Sequence, residues 1–361
     1  MKIFVLGVGK MGKSIVWSMD RYGYQVIALD KDVKNFSSIE GLRQTEFLLL
    51  NDLKSFSESL KREKPNIVIS SLPYTQLKDF AFECVKQGVK YCDLGGKVET
   101  TNDIKEFAKK EATNYVFTDL GLAPGYVNIL TEHGLSMIKE PQSVKMMVGG
   151  LPSIKVTNEI WNQPFYYCPL NYAVTWSVEG LINEYKDDCV ILKNKKIETV
   201  KGMDGLEIIK TPLGDFEAFY TSGAMSHSID SMIKNGVENC SYKTIRYKGH
   251  RDIVQWLIRK CNLNDSELFK IFENGCLNHE GKDFVIVKSE IIKDDTTWQR
   301  VKIIKSDDNF SAMQRATAFS ISAIAKMMVE NLFAKKKVLG YSDVDFEEFE
   351  KNFNKLESEN H

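Results

Sequence analysis

The sequence predicts an α/β chain, a doubly wound parallel sheet followed by a second α+β domain. Three observations predict it. An apolar strand, Lys2 to Leu6, runs straight into Gly7-x-Gly9-x-x-Gly12. Strand-like and amphipathic helical stretches then alternate to about residue 123. From about Pro124 longer strands of the antiparallel kind take over, in Ser143 to Val148, Cys189 to Val200 and Phe284 to Ile304. A chain of 361 residues can build two cores of ordinary size.

Lys2 to Leu6 alternates too little for a half-exposed strand and suits a buried parallel one, while Lys13 to Met19 keeps apolar residues at helical spacing. The glycines therefore occupy a strand-to-helix turn. Gly7 permits the tight turn, Gly9 lets the backbone approach a pyrophosphate, and Gly12 lets helix and strand pack closely. Lys10 and Met11 share that turn, where the helix N-terminus supplies amide donors and a positive dipole end. The second strand, Tyr24 to Leu29, ends on Asp30, eighteen positions beyond Gly12. A carboxylate there accepts from ribose hydroxyls and repels a 2′-phosphate, so the expected cofactor is NAD rather than NADP, a preference that Lys31 softens.

Further strands follow at Glu46 to Leu50, Asn66 to Leu72, Val89 to Leu94 and Tyr115 to Asp119. A doubly wound sheet binds its ligands outside the carboxyl ends of its strands. Polar residues stand at those ends. Asp52 is placed to reach the adenine, Ser71, Leu72 and Pro73 the nicotinamide half, and Asp93 and Asp119 end the next two strands. Pro73 fixes its own backbone and restricts Leu72, which suits a loop lying against a ribose.

In the second domain, Lys293 to Thr297 reads as the polar turn of a hairpin. Ala312 to Phe333 is a helix rich in small side chains, expected to return and pack on the first domain. Phe346, Phe349, Phe353 and Leu356 recur at helical spacing and form a docking face for the protein's own surface. The expected division is 1–123 with the helix 312–335, then 124–311, then a tail 336–361.

The net charge of −1, from 48 basic and 49 acidic side chains, leaves no electrostatic footprint for nucleic acid or an anionic membrane. No apolar run reaches membrane-spanning length and no leader precedes the first strand, so a cytoplasmic location is expected. Seven scattered cysteines and five dispersed histidines show neither C-x-x-C nor His-x-x-x-His spacing, so no disulfide framework and no metal site is expected.

Six ordered motifs extend the reading: Asp93-Leu94-Gly95-Gly96, Asp119 to Asn128, Gly149-Gly150-Leu151-Pro152, Glu217 to Gly223, Lys243 to His250 and Arg315 to Phe319. In order, over residues 1 to about 335, they resemble the saccharopine dehydrogenase-like superfamily, and most closely its lysine 6-dehydrogenase branch. The resemblance implies a Rossmann domain, a catalytic α+β domain with a mixed sheet, NAD, and oxidative deamination of a primary amine. Saccharopine reductases typically read Gly-Leu-Asp-Pro-Gly where this chain has Gly121-Leu122-Ala123-Pro124-Gly125, carry a tyrosine near Gly96, and often a cysteine at Val148. All three departures argue against saccharopine as substrate.

Taking hydride from a carbon bearing an amine requires the neutral amine and then a positioned water. Asp93, Asp119 and His250 are the candidates for that proton and water chemistry. Asp119 is equally suited to capping its turn, and His250 to a hydrogen bond at a helix start. Arg246 suits a bidentate grip on an amino-acid carboxylate or an internal salt bridge. Thr221 is placed to hydrogen-bond substrate, Tyr172 and Trp176 to form an aromatic wall or plain core, and Asn128 to hold the nicotinamide carboxamide or cap its helix. The leading expectation is NAD-dependent deamination of L-lysine at its ε-amine by a homo-oligomer with a small-molecule substrate. Reductive coupling of an amine and an aldehyde, and a non-catalytic NAD sensor, stand as alternatives.

Overall fold

The structure, a computed structural model, describes all residues except 40, 154–169, 171, 175–176, 279–281, 335 and 360–361. The chain divides into two compact units, Met1–Ile129 with Gln314–His361, and Leu130–Met313.

The first unit opens with β1 (Lys2–Leu6), α1 (Gly12–Arg21), β2 (Gln25–Asp30), β3 (Thr45–Leu49), α2 (Leu53–Glu63) and β4 (Ile67–Ser70). It continues through α3 (Tyr74–Lys86), β5 (Lys90–Asp93), α4 (Val98–Glu111) and β6 (Val116–Phe117). The strands form a six-stranded sheet in the order β3-β2-β1-β4-β5-β6, and every pair is parallel. The order reverses between β1 and β4, which is where a doubly wound sheet opens its ligand crevice. Phe4, Leu6, Ile27, Leu29, Val68 and Tyr91 are buried in this sheet's core, which explains the near-continuous apolar strands.

The chain leaves this unit within α5 (Tyr126–Met137) and re-enters it within α10 (Ala312–Val329). In α10 Ala316, Ala318, Ser320, Ser322, Ala323 and Ala325 are fully buried, and Phe319 stacks on Trp17 with ring centroids 5.9 Å apart. The tail is integral to this unit. Val116 N–H donates to Lys337 O at 2.8 Å and Leu339 N–H to Val116 O at 2.9 Å, so the tail covers the β6 edge that would otherwise be unpaired. In α11 (Phe346–Ser358), Phe349 and Phe353 lie 5.3 and 5.1 Å from the Tyr126 ring and are fully buried. The apolar stripe of the tail is a self-docking face.

The second unit contains β7 (Ser143–Pro152), β8 (Ala173–Val174), α6 (Val178–Lys186), β9 (Asp188–Lys193), β10 (Lys196–Lys201), β11 (Glu207–Thr211) and β12 (Gly214–Tyr220). It goes on through α7 (Ile229–Lys234), β13 (Asn239–Arg246), α8 (His250–Lys260), α9 (Asp265–Gly275), β14 (Leu277–Asn278), β15 (Asp283–Lys293) and β16 (Thr296–Lys305). Its large sheet runs β10-β9-β13-β7-β15-β16 with β12 and β11 branching from β13. The sheet is mixed, because β13 pairs parallel with β7 while the other pairs are antiparallel. Cys189 to Val200 is a hairpin rather than one strand. Asn194 and Lys195, with φ of 50° and 63°, make the two-residue turn. The β15–β16 hairpin turns at Asp294-Asp295. No helix among the described residues is long and apolar enough to cross a membrane.

Candidate functional site

The loop between β1 and α1 is shaped by its glycines. Gly7 has φ of 87°, and a Cβ on Gly12 would run into the Gly7 carbonyl and the Ser71 hydroxyl, so only glycine lets α1 start this close to β1. Gly9 faces open space, with nothing within 4 Å of where a Cβ would stand. Among the described residues the amide N–H groups of Gly9, Met11 and Gly12 have no acceptor. Three unspent donors at a helix N-terminus, over a glycine that leaves room, fit the pyrophosphate of a dinucleotide. Lys10 is exposed and Met11 half-buried in the same turn.

Asp30 does more than end β2. Its Oδ2 accepts from Val8 N–H at 2.6 Å and its Oδ1 from Asp32 N–H at 2.9 Å, so the carboxylate braces the glycine loop from beside the crevice. Ser71 lies behind the loop, its Oγ donating to Gly7 O at 2.8 Å. Leu72 packs against Gly7, and Pro73 is exposed ahead of α3. Asp52 caps α2, accepting from Ser55 N–H at 2.7 Å in a reciprocal box. Asn128 is fully buried, and its Oδ1 accepts from Gly125 N–H at 2.9 Å at the start of α5.

Asp93 and Asp119 meet inside the same unit, and neither has exposed surface. Asp93 Oδ1 accepts from the Asp119 N–H at 3.0 Å. Asp119 itself has φ of 66°, takes the Thr101 hydroxyl at 2.7 Å, and lies 3.8 Å from Lys105 Nζ. Gly95 leaves no room for ligand, because its missing side chain is where the Asp119 carboxylate stands. Asp93 Oδ2 and the nearby Tyr91 hydroxyl are buried without a hydrogen-bond partner. Burial, and then the Asp119 charge, push the Asp93 carboxyl up to about 7. The two aspartates tie together the segments that follow β5 and β6.

The second unit gathers four predicted residues into one network. The β12–β13 register pairs Glu217 with Arg246, which brings the two motif segments side by side. Glu217 then accepts from Gly249 N–H at 2.9 Å and Arg251 N–H at 2.6 Å, anchoring the start of α8 and with it His250. Arg246 is buried with its guanidinium 4.6 Å above the Tyr172 ring. It donates to the Tyr185 hydroxyl at 2.7 Å, Thr244 Oγ1 at 3.0 Å, Ile245 O at 2.9 Å and Glu184 at 3.4 Å. Thr221 Oγ1 donates to the other Glu184 oxygen at 3.0 Å.

His250 closes the network. Its Nδ1 faces the Leu170 carbonyl, which can only accept, so Nδ1 carries the proton and Nε2 accepts from the Tyr185 hydroxyl at 2.9 Å. Tyr185 thus accepts from Arg246 and donates to His250. Burial, and then the Arg246 charge, push His250 down to about 3, so the ring is neutral at physiological pH. Glu184 is the most exposed member, at 14% of its side chain. Sequence reasoning missed Glu184 and Tyr185. Leu181, Ile182 and Tyr185 share a buried helical stripe that marks Tyr185 as interior, while nothing local marks Glu184. Trp176 lies outside the described residues. Among those described, no group of three or more His, Cys, Asp or Glu is arranged to hold a metal ion.

Comparison with known proteins places this architecture. The chain is similar over 99% of its length to apo saccharopine dehydrogenase (L-Glu forming) from Saccharomyces cerevisiae, with a TM-score of 0.75, 14% identity and 97% of that chain covered, and shares its fold. Myo-inositol 2-dehydrogenase from Lactobacillus plantarum gives a TM-score of 0.47 at 9% identity over 99% of this chain and 95% of that one. A curated relative, formate-dependent phosphoribosylglycinamide formyltransferase from Prochlorococcus marinus (strain MIT 9515), is 27% identical over 113 residues. That match spans 30% of this chain and only 28% of the relative's length. The profile of the saccharopine dehydrogenase C-terminal domain matches residues 121–360, and the chain belongs to that family.

Proposed function

We propose that the protein is a nicotinamide-dinucleotide oxidoreductase that uses NAD to deaminate the primary amine of an amino acid, most specifically the ε-amine of L-lysine. The products are ammonia, NADH and a semialdehyde that cyclises with the remaining amine. The observation that carries this reading is the glycine loop, with the Gly9, Met11 and Gly12 amides unspent and Asp30 beside them. Bound NAD would supply the hydride acceptor. The loop amides hold its pyrophosphate, and the Asp30 charge disfavours a 2′-phosphate on the ribose.

In the second unit, Arg246 is committed to an internal salt bridge, so its part is to fix the carboxylate of Glu184 with Thr221. Glu184, which keeps exposed surface, is the group we assign to the substrate's ammonium. Asp93, Asp119 and His250, all without exposed surface, are assigned as positioning residues. Among the described residues β16 stands last in the strand order of the large sheet, a position that suits a homo-oligomer contact.

L-lysine labelled with heavy nitrogen at the ε position provides the test. The reading predicts that the label leaves as ammonia in step with NADH formation; label retained in the product would exclude it. The family membership favours a second reading, reductive coupling of an amine with an aldehyde acid. The three sequence departures at Ala123, Gly96 and Val148 weigh against it.

A further inference from the structure

Three side chains from distant parts of the sequence tie down the glycine loop. Ser71 Oγ donates to Gly7 O at 2.8 Å, and Asp30 Oδ2 accepts from Val8 N–H at 2.6 Å. The third is Gln314, in the first turn of α10 and 6% exposed, whose Nε2 donates to Lys10 O at 2.7 Å. In a planar trans peptide the C=O and N–H point in opposite directions, so a bond that fixes one end aims the other. The peptide joining Gly7 and Val8 is held at both ends, by Ser71 and by Asp30. The peptide joining Lys10 and Met11 is held at its carbonyl by Gln314, and its other end, the Met11 N–H, is one of the three loop amides without an acceptor among the described residues.

We propose that Gln314 is a positioning residue for dinucleotide binding: by holding the Lys10 carbonyl it aims the Met11 N–H at the pyrophosphate. The inference rests on the dinucleotide part of the proposed function. Gln314 touches the loop from outside the glycine motif, more than three hundred residues away in sequence. Its effect passes through one peptide plane, so it should be felt by ligands that carry phosphate and by no others.

The test is calorimetric titration of the full chain with NAD, with ADP-ribose, which keeps the pyrophosphate, and with adenosine, which lacks it. Q314M removes the donor at similar volume, and is expected to weaken NAD and ADP-ribose by about tenfold while leaving adenosine affinity unchanged and lowering the melting temperature of the free protein by only about 2–4 °C, the loss of one hydrogen bond. Q314E, of the same shape but presenting an oxygen to the Lys10 carbonyl, is expected to weaken both further and serves if Q314M does not fold. M11P removes the N–H itself, and in that background Q314M is expected to add nothing. Unchanged NAD and ADP-ribose affinity in Q314M and Q314E, or an equal loss for adenosine, would overturn the inference while leaving NAD binding intact. Wild-type protein that binds no dinucleotide would overturn the inference and the cofactor reading together. NAD binding without amine turnover would refute the deamination reading alone.

Discussion

Asp93→Asn is the perturbation whose outcome the structure specifies most closely. The wild-type carboxyl has no exposed surface and is pushed from its ordinary 3.8 up to about 7, by burial and then by the Asp119 charge. Folding therefore favours the protonated form. Stability from this group is complete below pH 3.8, falls as pH rises, and is gone above about 7. At about 1.4 kcal/mol per pH unit the loss amounts to at most about 4 kcal/mol. Asparagine keeps the oxygen that accepts from Asp119 N–H at 3.0 Å and never acquires the charge. Its amide nitrogen replaces the unpartnered Oδ2 and brings donors to a site that holds the Tyr91 hydroxyl, itself without a hydrogen-bond partner. We expect the stability of Asp93→Asn relative to wild type to improve by roughly 2 kcal/mol or more between pH 4 and pH 8, within the ceiling above. Urea unfolding followed by circular dichroism at several pH values, with the transitions of the two units fitted separately, measures it. A difference between the two proteins that stays constant with pH to within about 0.5 kcal/mol would refute the buried-charge reasoning.

Other outcomes follow from the same geometry. Gly12→Ala drives a Cβ into the Gly7 carbonyl, so NAD binding by calorimetry should be lost and α1 loosened, whereas Gly9→Ala, facing open space, should leave the melting temperature unchanged and weaken only dinucleotide binding. Tyr185→Phe strands Arg246 Nε and His250 Nε2 together, and should cost about 2–4 kcal/mol in denaturant unfolding. Arg246→Met leaves the Glu184 carboxylate without its buried partner, and should destabilise the second unit by about 3–5 kcal/mol while leaving NAD affinity intact. Phe353→Ala empties a fully buried site between Tyr126 and Phe319 and should cost about 3–5 kcal/mol, read as an earlier thermal transition of the first unit.

Much of the first unit was legible because its signals are local. The β1 glycine loop, the strand ending at Asp30 and the phenylalanine stripe of α11 each declare themselves within a dozen residues. The mixed character of the second sheet was not readable from periodicity, since a parallel β7–β13 pair and an antiparallel one bury the same apolar faces. The split of Cys189 to Val200 was written in Asn194-Lys195, but only asparagine there has a left-handed tendency, and lysine hid the turn. Residue type and motif singled out Arg246, His250, Thr221 and Tyr172, which the fold gathers into one network, yet not what they touch. Their partners Glu184 and Tyr185 come from another element, and an acidic residue on an amphipathic helix looks like a solvated face until packing places arginine behind it. Gln314 was unreadable for the same reason. Its role depends on a carbonyl far away in sequence, which no local pattern encodes.

NADH formation by the purified protein, supplied with NAD and, in turn, L-lysine, ornithine, saccharopine and simple diamines, and then with NADP, decides whether this chain deaminates an amine. Deamination by this protein gives NADH with L-lysine, ammonia in equal amount, and a much weaker signal with NADP. Silence with every amine, together with NADH consumption when an amine and an aldehyde acid are supplied together, would contradict it and move the protein to reductive coupling.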